Sequence, residues 1–282
     1  RNPTMPKFRQ INQILSIMHK KENIRNVGII AHIDHGKTTL ADCLLAGAGL
    51  LSPTIAGKAR ALDYLEEEQK RGITIKTANI SMLHELDSSQ YVVNLIDTPG
   101  HVDFTGKVTR GLRSVDGAIV VVDAVEEIMT QTKTVTRQAL EERVRPVLFI
   151  NKVDRLIQEL RLTPEEIQEK FARIVDDFNT LIDTCGERDF RDKWKIDAAN
   201  ETVAFGSALD KWGFTLATAK QKQIKFTDIV DAYASGKPER LSRLLPVYTS
   251  ILNMIVKNMP NPVQAQKYRL AKIWKGRMDS DM

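Results

Sequence analysis

An α/β fold with a mostly parallel sheet flanked by helices is predicted for this 282-residue chain on three observations. Short apolar, β-branched runs alternate with helix-length stretches, the order expected of a parallel sheet covered on both faces. Each run stops at a polar loop, and sheets of this kind take ligands at the carboxyl ends of their strands. Between the first run and the first helix of the sheet region stands a tight loop that closes on Gly36-Lys37-Thr38.

Taken in order, residues 8–20 place Ile11, Ile14, Leu15 and Met18 on one face of a helix. The first strand is Val27-Gly28-Ile29-Ile30, and helices are expected near 39–47, 105–114 and 131–143. Tyr91 to Ile96 is a strand feeding Asp97, Gly117 to Val122 a strand feeding Asp123, and Pro146 to Ile150 a strand feeding Asn151. Residues 155–200 break this rhythm as a charged insert, with Thr163-Pro164-Glu165-Glu166 capping a helix that runs to about Leu181. Val203-Ala204-Phe205 reads as the last core strand, 223–256 as helical with Pro246 starting or kinking a helix, and Met259-Pro260-Asn261-Pro262 as a linker. The expected organisation is therefore a basic helical extension over 1–22, a main domain over 23–258 carrying the insert, and a linker with the beginning of a further domain over 259–282.

Apolar residues at 42% and charged residues at 27% describe a soluble globular chain and exclude a disordered one. The sequence holds no apolar run of the roughly 18 residues that a membrane span needs and no signal-peptide core near its start, so no membrane partner is expected. Two cysteines, Cys43 and Cys185, make a disulfide scaffold or thiolate zinc site improbable and suit a reducing cytoplasm. The net charge of +5 is concentrated at both ends. Basic ends on a mildly acidic body suit a polyanion such as RNA, and equally suit plain solvation of the termini.

The loop Ala31-His32-Ile33-Asp34-His35-Gly36-Lys37-Thr38-Thr39 has the layout of a phosphate cradle. Backbone amides surround the phosphates, Lys37 reaches them, and Thr38 offers a neutral oxygen to Mg²⁺. Ala31 stands where the usual pattern has its first glycine. Asp97-Thr98-Pro99-Gly100-His101 follows the next strand, where Asp97 can hold Mg²⁺ through water and the Gly100 amide can sense a terminal phosphate. Arg71-Gly72-Ile73-Thr74-Ile75 adds a further Mg²⁺ ligand if Thr74 swings over that phosphate. Asn151-Lys152-Val153-Asp154 selects the base: the Asp154 carboxylate accepts from both N1–H and the exocyclic amine of guanine, a donor pair adenine lacks. Lys152 can lay its stem along the ring, Asn151 can brace neighbouring loops, and Ser207-Ala208 can offer an amide to the guanine oxygen. A zinc site from His32, Asp34 and His35 is rejected, because it would compete with anion binding in the same loop.

These strings together resemble the translational GTPases, most closely the archaeal elongation factor two family of ribosomal translocases. The matching text includes Ala31 to Thr38, Leu62 to Ile75, Asp97 to Phe104, Arg143 to Arg155, Gly206-Ser207-Ala208-Leu209 and Gln266 to Arg269, and covers nearly the whole chain. The resemblance implies a P-loop GTPase fold with a short insert between the base-specificity motifs, binding of GTP and GDP with Mg²⁺, and hydrolysis stimulated by the ribosome. It implies that His101 orients the attacking water, that Ile33 and Ile73 form a hydrophobic gate restraining that histidine, and that Asp34 contacts a monovalent cation or Mg²⁺-bound water. Leu209 completes the base loop. The implied partners are the ribosome with its large-subunit RNA and stalk proteins, tRNA and mRNA through domains beyond this chain, and no second copy. A ribosome- or stalk-binding module with little activity of its own is the alternative, and a structural RNA-binding domain a more distant one. One departure stands out: the family usually has a glycine after Asp123-Ala124-Val125-Glu126, where this chain has Glu127, implying an altered backbone angle or local charge.

Overall fold

The computed structural model describes residues 7–51, 78–97 and 105–274. Among the described residues seven strands form one sheet: β1 (Ile24–Ala31), β2 (Ala78–Leu86), β3 (Ser89–Asp97), β4 (Gly117–Asp123), β5 (Arg145–Asn151), β6 (Val203–Ser207) and β7 (Trp212–Phe214). Their order across the sheet is β2-β3-β1-β4-β5-β6-β7. The five central strands run parallel, and an antiparallel strand closes each edge. The expected mostly parallel sheet is therefore present.

The helices are α1 (Lys7–Ile17), α2 (Lys37–Gly47), α3 (Thr105–Arg113), α4 (Thr130–Glu141), α5 (Val153–Gln158), α6 (Pro164–Cys185), α7 (Arg191–Trp194), α8 (Leu216–Gln221), α9 (Phe226–Ala234), α10 (Glu239–Leu244), α11 (Val247–Asn258) and α12 (Pro262–Ile273). Alternate strand residues enter opposite cores. Ile30, Val120, Val122, Leu148 and Ile150 pack with α3, α4 and α6 on one face. Val27, Ile29, Ile119, Val121, Val147 and Phe149 pack with α2 and α11 on the other. Burial on both faces is why these strands read as continuous apolar runs rather than as alternating ones.

The insert opens as its sequence indicates. Thr163 Oγ1 accepts from the Glu166 amide at 3.3 Å, and the Glu166 carboxylate accepts from the Thr163 amide at 2.8 Å, a reciprocal cap that satisfies two otherwise orphan donors. Ile167, Phe171, Ile174, Phe178 and Ile182 line the buried face of α6. Pro246 starts α11 rather than kinking it.

Three features differ from the sequence reading. Strand β2 pairs with β3 through a tight Asp87-Ser88 turn, both residues in the left-handed region, and the three-residue β7 is too short to announce itself. The apolar face of α1 is largely solvent-facing: Ile11, Leu15 and Met18 are exposed, and Ile17, one residue off that stripe, is buried. The stretch Met259–Pro262, expected as a linker, is a turn between two packed helices. Met259 is buried against Gly117, and Asn261 caps α12 through the Gln264 amide at 2.9 Å. Arg269 of α12 then bonds Asp116 at 3.1 Å, with further bonds to the carbonyls of Leu112 and Val115. Apolar pattern alone could not reveal that anchor, because it is a buried cation.

Candidate functional site

The phosphate-type loop spans the gap between β1 and α2. Asp34 (φ 62°) and Gly36 (φ 94°) both take left-handed backbone angles. A Cβ at position 36 would lie 2.2 Å from Asn151 Nδ2, so only glycine fits there. The loop delivers the chain into α2, an eleven-residue helix with no acidic residue in its first turn, which leaves its amide end suited to an anion. Lys37 is buried and its Nζ lies 2.6 Å from Asp97 Oδ1 at the end of β3. Thr38, Thr39, Ile33 and His32 are half-buried, and Asp34 is exposed.

His35 points inward rather than toward the loop mouth. Its ring is fully buried, with Nδ1 accepting from the Asp123 amide at 3.2 Å and Nε2 3.2 Å from Glu126 Oε2. Because Nδ1 accepts, the ring proton sits on Nε2 and is donated to Glu126. Burial holds the imidazole below its ordinary pKa, outweighing the acidic neighbours Asp123 and Glu126. His32 meets it edge-on at 5.0 Å. Among the described residues no cluster of His, Cys, Asp or Glu is arranged to hold a metal ion.

The second motif sits at the carboxyl end of β5. Asn151 Nδ2 donates to the His35 carbonyl at 2.9 Å, and its Oδ1 accepts from the Ala208 amide at 2.9 Å. One side chain thus fastens the phosphate loop to the β6–β7 loop, the bracing expected of Asn151. The Ala208 amide, expected to face a base oxygen, is engaged by Asn151 in this structure. Lys152 takes a left-handed angle (φ 60°), and its Nζ lies 2.9 Å from Asp123 Oδ2.

Asp154 is buried and its Oδ1 has no hydrogen-bond partner. Burial pushes its carboxyl above the ordinary range, although a hydrogen bond with Ser207 pulls the other way. Leu209, which follows Ala208 in the chain, is exposed. The loop carrying Ser207 is held from behind: Trp212 Nε1 donates to Tyr233 Oη at 2.7 Å, Tyr233 donates to Asp210 Oδ2 at 2.5 Å, and the Asp210 amide donates to Ser207 Oγ at 3.1 Å.

Gly100, His101, Ile73 and Thr74 lie outside the described residues. The structure therefore assembles Ala31 to Thr39, Asp97, Asn151 to Asp154 and Ser207 to Leu209 around one end of the sheet.

Sequence reasoning singled out Glu127 in the loop after β4 but not the contacts that this loop makes. Asp123 is fully buried and accepts from Lys152 and from Arg155 NH1 at 3.0 Å. Burial alone would raise its pKa, but these cations and the Val125 amide hold it below the ordinary range. Glu127 keeps the backbone angle a glycine would take, at φ 61°. What changes is the charge: Glu127 Oε1 lies 2.5 Å from both Lys170 Nζ and Arg173 NH2 of α6. The signals in the sequence were Glu127 in place of the family's usual glycine and two basic residues, Lys170 and Arg173, one helical turn apart on α6. A separate apolar groove of about 760 Å³, walled by Phe171, Phe205, Phe214 and Phe226, includes none of the phosphate- or base-motif side chains.

With this geometry in view, the family described as the Elongation factor Tu GTP binding domain matches residues 22–261. The chain belongs to that family. The fold is accordingly that of a P-loop GTPase. The chain is 59% identical over 281 residues to Elongation factor 2 of Staphylothermus marinus, and 57% identical over 281 residues to that of Sulfurisphaera tokodaii. It is 57% identical over 282 residues to Elongation factor 2 of Ignicoccus hospitalis. Each alignment covers 99% of this chain and 38% of the relative, so the chain spans well under half the length of the curated relatives it matches. No helix among the described residues is long and apolar enough to cross a membrane.

Proposed function

We propose that this chain binds GTP and hydrolyses it to GDP and phosphate, as the GTPase part of a ribosomal translocase working in the cytoplasm. The observation that carries the guanine reading is Asp154: a buried carboxylate whose Oδ1 has no partner, beside a loop already braced to the phosphate cradle. A buried acceptor left unpaired costs free energy that a ligand with two adjacent N–H donors recovers. Gly36, with no room for a Cβ, supports close approach of backbone to phosphate.

The residues fit a nucleotide with its Mg²⁺, for which Thr38, Asp97 and Thr74 are the proposed holders, directly or through water. When bound, Mg²⁺ neutralises charge on the transferring phosphoryl group. Lys37 now pairs with Asp97; an entering phosphate would draw the lysine to itself, and Asp97 would orient metal-bound water. The amides of His32 to Thr39 surround the phosphates, with Gly100 sensing the last of them. His101 holds the attacking water in line, Ile33 and Ile73 restrain it, and Asp34 would contact a monovalent cation or Mg²⁺-bound water. The phosphate itself can take the water's proton, so positioning suffices. The proposed partners are the ribosome with its large-subunit RNA and stalk proteins, with tRNA and mRNA reached through segments beyond this chain, and the chain acts as a monomer. The packing of α12 supports carrying the GTPase domain through residue 273 rather than 258.

Competition of GTP, ATP and xanthosine triphosphate for the chain tests the base assignment. GTP should displace a fluorescent guanine nucleotide and ATP should not, whereas Asp154→Asn should lose roughly 2–5 kcal/mol toward GTP and gain affinity for the xanthine nucleotide. Equal binding of ATP and GTP by the unaltered chain removes the guanine reading. His101→Ala should leave GTP affinity unchanged while lowering ribosome-stimulated single-turnover hydrolysis about 10²–10⁴-fold. Near-normal chemistry in that variant takes His101 out of the mechanism.

A further inference from the structure

We propose that Glu127 is a positioning residue that ties the insert helix α6 to the nucleotide site and sets how fast nucleotide leaves. The inference rests on the guanine-nucleotide reading above.

The loop that follows β4 touches three parts of the molecule within five residues. Its Asp123 carboxylate holds Lys152 at 2.9 Å and Arg155 at 3.0 Å, on the base-recognition side. The Asp123 amide and the Glu126 carboxylate hold the two nitrogens of His35, on the phosphate side. The Glu127 carboxylate holds Lys170 and Arg173 of α6, on the insert side. Within the loop, the Glu127 amide donates to the Asp123 carbonyl and the Val125 amide to the Asp123 carboxylate, each at 2.8 Å. These eight contacts, six outward and two within the loop, leave it little freedom to shift one end without the other.

Glu127 is where this arrangement departs from the least demanding one. Its left-handed backbone angle is one that glycine adopts freely and a residue with a Cβ does not. A turn alone is better served by glycine, so the side chain is what the position gains. That side chain is mostly shielded, and so is Lys170, while Arg173 is open to solvent. Between the two cations on α6 sits Phe171, which faces the apolar groove. A displacement of α6 therefore pulls on Glu127, the adjacent Glu126 and the His35 ring. The His35 carbonyl is the one Asn151 grips next to Gly36, so the amide cradle moves with it.

The test is the dissociation rate of mant-GDP from the 282-residue chain, followed by stopped-flow fluorescence alongside the thermal midpoint. The variants are Glu127→Gln, Glu127→Gly, Lys170→Met and the double variant Glu127→Gln/Lys170→Met. Each single change should speed release by about fivefold, the lower end of measured couplings between sites. The double variant should be no faster than either single one, because both remove the same tie. Glu127→Gly should release faster while unfolding at an unchanged or higher temperature, since it relieves the backbone. That split separates positioning from general loosening. Unchanged release in Glu127→Gln and Glu127→Gly, or release that rises only as the thermal midpoint falls, overturns the proposal with the guanine reading intact. Failure of the unaltered chain to bind mant-GDP overturns the guanine reading itself and this proposal with it.

Discussion

Gly36 shows how a single absent atom fixes the arrangement of two motifs more than a hundred positions apart. A methyl at that position meets Asn151 Nδ2 at 2.2 Å and forces a left-handed angle on a residue that resists it. Gly36→Ala should therefore destabilise the fold by at least about 1–2 kcal/mol from the backbone alone, read from urea unfolding, and should abolish retention of guanine nucleotide on gel filtration. At this scale the sequence was a good guide where chemistry dictates residue type. The glycine, Lys37, Asn151 and Asp154 announce themselves by kind and spacing. It was a poor guide to His35, whose place in a phosphate loop suggests a ligand-facing role, yet whose ring is turned inward to Asp123 and Glu126. Nothing in a one-dimensional string says which way an imidazole turns, because the partners come from a different strand end.

Among the elements, those legible in advance are the ones buried on both faces or capped in a standard way. The parallel strands are unbroken apolar runs, and α6 carries its start signal at Thr163. The helix α12 was not legible, because its strongest tie is Arg269 under the sheet rather than an apolar stripe. Arg269 and Asp116 are both nearly buried, and burial raises the Asp116 carboxyl although Asn26 and Arg269 oppose that. Arg269→Met should cost about 3–5 kcal/mol, the range for leaving one half of a buried pair alone. Arg269→Met/Asp116→Asn should recover much of that loss in the urea midpoint. A double variant as unstable as the single one would show that α12 is held by packing rather than by this pair.

For the whole molecule, one buried histidine and one half-buried histidine set a direction for the response to acid. His35 lies under the phosphate loop, and His84 of β2 lies 2.7 Å from Asn253 Oδ1 of α11. Burial holds both below the ordinary value of 6.5. The folded chain therefore binds fewer protons than the unfolded one as pH falls through 6.5, and stability should drop by up to about 1.4 kcal/mol per pH unit for each histidine. Asp116 and Asp154, raised by burial from 3.8, work in the opposite sense and should flatten the loss at lower pH. Urea midpoints between pH 7.5 and 5.5 should fall, and His84→Gln should reduce the slope by about half. A flat profile in the unaltered chain would show that neither imidazole is held neutral.

The tie between Asp116 and Arg269 also has a meaning for how the molecule is made. The two residues are separated by 153 positions. At synthesis rates of about 5–20 residues per second, the carboxylate waits roughly 8–30 s for its cation to be polymerised. Over that interval the first four strands can already pair, while the acid beneath β4 has Asn26 but no cation against it and Gly117 has not yet met Met259. The nascent chain is thus most open to chaperones and proteases at the underside of its sheet. The tie beneath β4 closes only when α12 arrives.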